Sequence, residues 1–187
     1  MLVTGMGRKN ALTRFRAPLE RSRPDHVLTC GFAGCLNPAL AVGTVVFDED
    51  YDAGYGVDLL ALGAVPATFH CARRVAVTVA EKAELRRSTG ADAVEMESSV
   101  IRAVCREQGI PSGTVRVISD AADEYLPLDF NAVMTSDQRI SVAKLAGALL
   151  RSPRVVPKLL ALQRHTRLAA RRLGEVLREL LRCPGCG

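Results

Sequence analysis

An α/β fold, with a mostly parallel, twisted sheet between layers of helices in three layers, is the architecture this sequence predicts. Three observations lead to it. Short apolar runs alternate with helical patterns along the chain, the signature of strands joined by crossover helices. Two of these runs end in charged residues. Ala93 and Val94 lead into Glu95-Met96-Glu97, and Thr114, Val115, Val117 and Ile118 lead into Ser119-Asp120. Finally, 187 residues that are 48% hydrophobic and 24% charged suit one domain with a sizeable core. Aromatics make up 4% and Trp is absent, so that core has to be built from Ala, Val and Leu.

The elements follow in order. Leu2 to Thr4 reads as a short buried strand entering a Gly5-Met6-Gly7 turn, and a helix is expected from Asn10 to Leu19. Val27 to Cys30 is a strand with a tight turn, Gly31-Phe32-Ala33-Gly34, at its carboxyl end. Thr44 to Asp48 is the next strand, and residues 51–63, with Gly54, Gly56 and Asp58, read as a loop. Strand signals return at Ala67 to His70 and at Val75 to Val79, followed by a helix from Ala80 to Ser88. Between the two charged strand ends, Val100, Ile101, Val104 and Cys105 recur at helical spacing from Ser99 to Gln108, and Gly109 and Pro111 stop the helix. Strand, helix, strand is a βαβ unit, and parallel strands in such units bring ligand groups to their carboxyl ends. A loop with Asp123, Glu124 and Pro127 follows, then a helix from Asp137 to Leu150. No internal repeat is present.

The motif residues have structural readings as well as chemical ones. A Glu-x-Glu at the start of a helix places favourable charge at the positive end of its dipole. Asp120 after a strand suits a cap, and Ser119 a local turn. Arg116 suits a charge pair with Glu95 or Glu97. By two-residue alternation it points the same way as Ile118 and away from Val115 and Val117.

Val94-Glu95-Met96-Glu97 and Ile118-Ser119-Asp120, with Gly31-Phe32-Ala33-Gly34 and Val42-Gly43-Thr44-Val45-Val46 upstream, resemble the purine nucleoside and uridine phosphorylase family, and most of all its methylthioadenosine/S-adenosylhomocysteine nucleosidase branch. Members that cleave adenosylhopane are also similar. The resemblance covers Leu2 to Leu150, which divides the chain into a nucleosidase-like domain, 1–150, and a basic C-terminal helix with a Cys-x-x-Cys tail, 151–187. It implies a nucleoside phosphorylase-like fold and a homo-oligomer, dimer or trimer. In the family, strands precede the Gly-Met-Gly turn and the first carries the acidic residue that activates water. By alignment that part lies before Met1, so either the true protein is longer or this form lacks those strands and that base.

The implied chemistry is cleavage of the N-glycosidic bond of a purine nucleoside, an adenosine derivative, with no metal and no cofactor. Asp120 is implied as the acid that protonates the leaving purine, which requires burial or neighbouring carboxylates to keep its proton. Standing at the open end of a strand, it is expected to lie outside the core. Glu97 is implied to accept from two ribose hydroxyls, Arg116 to lie near the nucleophile, and Glu95, Met96, Ser119, Gly31, Phe32 and Ala33 to line the substrate. Family phosphorylases hold phosphate with an arginine and a serine where this chain has Thr29 and Phe32, so hydrolysis is favoured over phosphorolysis. The family's stacking aromatic has Arg73-Arg74 in its place, leaving Phe32, Phe69 or Tyr125 to meet the base. The alternatives are a phosphorylase of a purine or lipid-linked nucleoside, or a non-catalytic homologue acting through its basic helix.

That helix, Arg151 to Arg182, carries nine Lys and Arg against Glu175 and Glu179, with an apolar face of Leu159, Leu162, Leu168, Leu173, Val176, Leu177 and Leu180. It suits a helix packed on the domain with its charges solvated, or one lying on an anionic membrane surface. Nucleic acid is disfavoured because the basic stretch lacks stacking aromatics. Cys30, Cys71 and Cys105 sit in or beside apolar runs and read as buried thiols. Cys183 and Cys186 form a lone Cys-x-x-Cys without a second pair to complete a metal site. No run of eighteen apolar residues occurs, and the first seven residues are too short for a signal peptide, so a cytoplasmic location is the default.

Overall fold

The computed structural model describes residues 2–50, 52–135 and 137–182. Cys183 and Cys186 lie outside them. Six strands form one sheet in the order β3-β2-β6-β1-β5-β4: β1 Val27–Cys35, β2 Val45–Glu49, β3 Val65–Pro66, β4 Phe69–Cys71, β5 Ala93–Glu95 and β6 Ser112–Asp120. The sheet is mixed. β1 pairs in parallel with β6, β2 with β3, and β4 with β5, whereas β2–β6 and β1–β5 are antiparallel. Helices α1 Arg8–Leu19, α2 Gly56–Ala61, α3 Val79–Thr89, α4 Ser98–Glu107, α5 Phe130–Val133, α6 Val142–Arg151 and α7 Val156–Leu180 surround it.

Alternation along the two long central strands assigns each helix to a face. Val115 and Val117 of β6, with Val45 and Phe47 of β2, pack against Ala169, Leu173, Val176 and Leu180 of α7. On the other face, Ala11 and Phe15 of α1 close a second cluster with Ile101, Val104 and Cys105 of α4. All nine residues of β6 are buried, as expected of a strand covered on both sides. No described helix is long and apolar enough to cross a membrane.

Several sequence expectations are corrected. Residues 31–34 are not a turn: they continue β1, Gly31 opposite Arg116 and Phe32 opposite Val117. Strand β5 and strand β6 do not form a parallel pair. Both flank β1, and β5 runs antiparallel to it, so the expected βαβ unit is a crossover between oppositely directed strands. Leu2 to Thr4 joins no strand; Leu2 and Val3 are exposed, and Arg14 donates to the Val3 carbonyl. Val75 to Val79 is not a strand either, because the side-chain amide of Asn131 brackets both backbone groups of Val75 and Glu81 takes the N–H of Val77. The expected loop contains α2, whose Leu59 enters the core. The later helix starts at Val142 instead of Asp137, capped by Ser141. Cys30 is exposed, while Cys105 is buried and Cys71 half-buried.

Candidate functional site

Glu95 ends β5 and Glu97 occupies the N-cap position of α4. Glu95 is buried, and its carboxylate is consumed locally. Oε2 accepts from the backbone N–H of Glu97 at 2.9 Å and of Ser98 at 2.7 Å, and Oε1 accepts from Ser98 Oγ at 2.8 Å. Glu95 therefore satisfies the first free amides of α4, as an acidic residue at a helix N-terminus does. Its Oε2 also accepts from Arg116 Nη2 at 2.8 Å. Burial draws the Glu95 proton affinity up, but the Arg116 guanidinium and the Ser98 and Glu97 amides outweigh it and hold the carboxyl below its ordinary value.

Arg116 comes from the middle of β6 and is 4% exposed. Its guanidinium lies across Gly31 of the neighbouring strand, and a Cβ there would overlap Nη1. Glycine at position 31 is thus demanded by the arginine rather than by a turn. Arg116 Nε has no hydrogen-bond partner among the described residues.

Glu97 has a different environment. Oε1 accepts from the Gly7 N–H at 2.6 Å, while Oε2 stands 3.9 Å from Arg116, an ion pair without a hydrogen bond. Burial pushes its pKa up, and against this the Gly7 amide and Arg116 pull down only partly. Two carboxylates two residues apart are thereby set on opposite sides of their ordinary value. Gly7, at φ 86°, owes its place to a conformation that side chains rarely adopt, and it carries the Gly5-Met6-Gly7 segment onto the site. Beside this cluster a cavity of about 240 Å³ is lined by Arg8, Lys9, Arg73, Asp137 and Gln138.

Asp120 forms a second cluster. It is 5% exposed, which corrects the expectation that it lies outside the core. A bulge between Ala33 and Gly34 resets the β1–β6 register, so that Asp120 pairs with Gly34, and a Cβ on Gly34 would stand 3.3 Å from Oδ2. Lys82 Nζ donates to Asp120 Oδ2 at 2.6 Å, and also to the carbonyls of Ala121 at 2.6 Å and Glu124 at 2.9 Å. All three ammonium protons are used in a site where Lys82 is 1% exposed. Ser119 Oγ donates to Asp120 Oδ1 at 2.7 Å, and contacts the Ala33 carbonyl at 3.2 Å. The charged group nearest Asp120 is a cation.

The structure therefore gathers Glu95, Glu97 and Arg116, and separately Asp120 and Ser119. Among the described residues no ion pair or side-chain hydrogen bond links the two groups. Met96 is buried between the two glutamates, and Ala33 is core. Phe32 is 45% exposed and shares a register position with Val117, so it stands on the α7 face, away from Arg116. Sequence reasoning missed Lys82 and Gly7. The one signal for Lys82 was its three-residue spacing from Leu85, which packs on the core beneath α3.

The family model of the phosphorylase superfamily matches residues 62–151. Futalosine hydrolase of Helicobacter pylori superposes with a TM-score of 0.67 at 15% identity, covering 95% of this chain and 76% of its own. A 5′-methylthioadenosine/S-adenosylhomocysteine nucleosidase from Neisseria meningitidis, in complex with methylthio-immucillin-A, gives 0.64 at 22% identity, over 96% of this chain and 78% of its own. The corresponding Campylobacter jejuni nucleosidase gives 0.59 at 22%, over 68% and 70%. At these identities the likeness is one of fold, a mixed six-stranded sheet with flanking helices. The phosphorylase-superfamily match over residues 62–151 agrees with that likeness.

Proposed function

We propose that this protein cleaves the N-glycosidic bond of a purine nucleoside by hydrolysis, with an adenosine derivative such as methylthioadenosine or S-adenosylhomocysteine as its substrate. The environment of Glu97 carries the reading. Cleavage of a glycosidic bond builds positive charge on the sugar, and a carboxylate accepting from two vicinal hydroxyls strengthens its hold as that charge grows. Glu97 has one oxygen oriented by the Gly7 amide and the other outside hydrogen-bond range of Arg116. Glu95 positions instead of binding: it locks Arg116 and the start of α4. Arg116, held by Glu95 through Nη2, is then the cation assigned to the nucleophile's oxygen. Asp120 is assigned to the leaving base, as the acid that protonates it, with Lys82 Nζ holding its carboxyl group in place.

Water is favoured as acceptor because Thr29 is committed within the sheet. Its Oγ1 donates to Thr114 Oγ1 at 3.0 Å, and Phe32 offers no polar group to phosphate. One observation favours phosphorolysis as a second reading: Arg8, which follows the Gly7 that binds Glu97, lines a cavity together with Lys9 and Arg73. Incubation with methylthioadenosine, with and without phosphate, separates them. Hydrolysis predicts free adenine at the same rate in both and a free sugar, whereas a sugar 1-phosphate overturns it. Glu97→Gln should lose about 2–4 kcal/mol of transition-state stabilisation, as for one positioned electrostatic contact. A folded wild-type protein that releases no base, or a Glu97→Gln variant with full turnover, would reject the role of Glu97.

A further inference from the structure

Between Asp137 and Glu175 the chain carries nine Lys and Arg and no Asp or Glu. All 20 acidic residues lie elsewhere, so the rest of the chain is net negative and the positive charge of the molecule is concentrated in α6 and α7. The placement of these cations in the fold is specific. The core-facing residues of α7, Ala169, Leu173, Val176 and Leu180, all belong to its second half. At 100° per residue, Val156, Leu160, Arg164, Arg167 and Arg171 fall within an arc of about 80° on the opposite side. All five are exposed. Among the described residues Arg164, Arg167 and Arg171 have no ion-pair partner; the acidic residues of α7 are engaged by Arg172 and Arg182.

Exposed apolar side chains continue the same region. Leu150 at the end of α6 is 84% exposed, Leu160 51% and Leu168 62%, and α6 has no buried residue at all. A face that is only solvated has no use for such leucines, and a nucleic-acid groove would want aromatics, which this stretch lacks. Cations that reach outward beside protruding leucines match a surface with negative headgroups over hydrocarbon.

We infer that α6 and the outer face of α7 form a docking face for an anionic lipid bilayer, with Arg164, Arg167 and Arg171 on headgroup phosphates and Leu150, Leu160 and Leu168 at the acyl boundary. This inference is independent of the proposed reaction, because it is read by binding and not by turnover. Sedimentation with vesicles of phosphatidylcholine containing phosphatidylglycerol, compared with phosphatidylcholine alone, tests it. The full chain should pellet with the anionic vesicles only, and less as salt rises. Replacing Arg164, Arg167 and Arg171 together by Gln should weaken partitioning on the order of 100-fold, with the circular dichroism spectrum and melting temperature of the wild type. Replacing Leu150, Leu160 and Leu168 by Ser should remove the portion that persists at high salt. Equal or absent binding to both vesicle types overturns the proposal. So does tighter binding to duplex DNA or RNA than to vesicles. Sedimentation velocity showing that the three arginines instead hold two copies of the chain together would overturn it as well.

Discussion

An ammonium and a carboxylate 2.6 Å apart, both almost out of contact with water, depend on each other: removing one leaves the other charged in a place without solvent. For Asp120 this overrides the expectation that a residue at the open end of a strand lies outside the core. Asp120→Asn should destabilise the protein by about 3–5 kcal/mol because Lys82 is left uncompensated. The double variant Lys82→Met, Asp120→Leu should recover much of that stability, since apolar groups of similar size replace a buried pair with little net loss. If Asp120 meets the leaving base, the double variant stays inactive although folded. Melting temperature and adenine release on the same preparations decide it. An Asp120→Asn protein as stable as the wild type would mean that the ion pair contributes nothing to the fold, and an active double variant would remove Asp120 from the chemistry. The positions of Glu97, Arg116 and Asp120 were legible from motifs, and so was the pairing of Arg116 with Glu95 and Glu97, but the partner of Asp120 was not. Lys82 sits in Ala80-Glu81-Lys82-Ala83-Glu84, a stretch that reads as a solvated helix face, and only packing makes it interior.

At the scale of elements, what the sequence showed depended on how far each element carries its own signal. Helix α3 is announced by a capping box in which Thr78 and Glu81 exchange hydrogen bonds and is closed by Gly90 in the left-handed conformation, and its boundaries match to within a residue. Strand β5 is three residues long, and its partner and direction come from β1, far away in sequence, so a parallel pairing with β6 could not be told from the antiparallel arrangement. Asp92 is what ties this short strand in place. Its carboxylate accepts from Asn37 at 2.8 Å, Arg86 at 2.6 Å, and both the amide and hydroxyl of Thr68, joining the ends of β1, α3 and β4. Burial pulls its pKa up, but the Thr68 amide and the Asn37 and Arg86 side chains more than reverse this and bring it to about 2. A carboxyl whose pKa is lower folded than unfolded adds stability at pH values above the unfolded pKa, and that stability is lost as pH falls through the folded value. Asp92 should therefore contribute on the order of 1 kcal/mol at neutral pH, allowing for its partly solvated position, and little once the pH falls through about 2. Urea midpoints of the wild type and Asp92→Asn should differ at pH 7 and converge between pH 4 and 2. A gap that stays constant with pH would show that the asparagine fails for reasons of shape.

On the scale of the whole molecule, a segment beyond the family match completes the core. The family match ends at residue 151, yet α7 covers the face of the sheet formed by Val45, Phe47, Val115 and Val117. Those strand residues lie in the centre of the sheet, and α7 makes the most extensive helix contact with β6. Its amphipathic pattern was readable, but the partner of its apolar face was not, because any apolar stripe fits many surfaces equally well. The basic face and the core face of one helix thus have separate tasks, and a substitution on the core side measures how far the segment belongs to the fold. Leu173 is 8% exposed within the α7 cluster. Leu173→Ala should cost about 2–5 kcal/mol, the transfer of the lost methyl groups plus the cavity left between helix and sheet. Because the same cluster contains residues of β2 and β6, the loss should lower a single unfolding transition followed by both circular dichroism and calorimetry. A separate early transition, with the sheet intact after the helix has melted, would instead mark residues 152–182 as an appendage that the domain can shed.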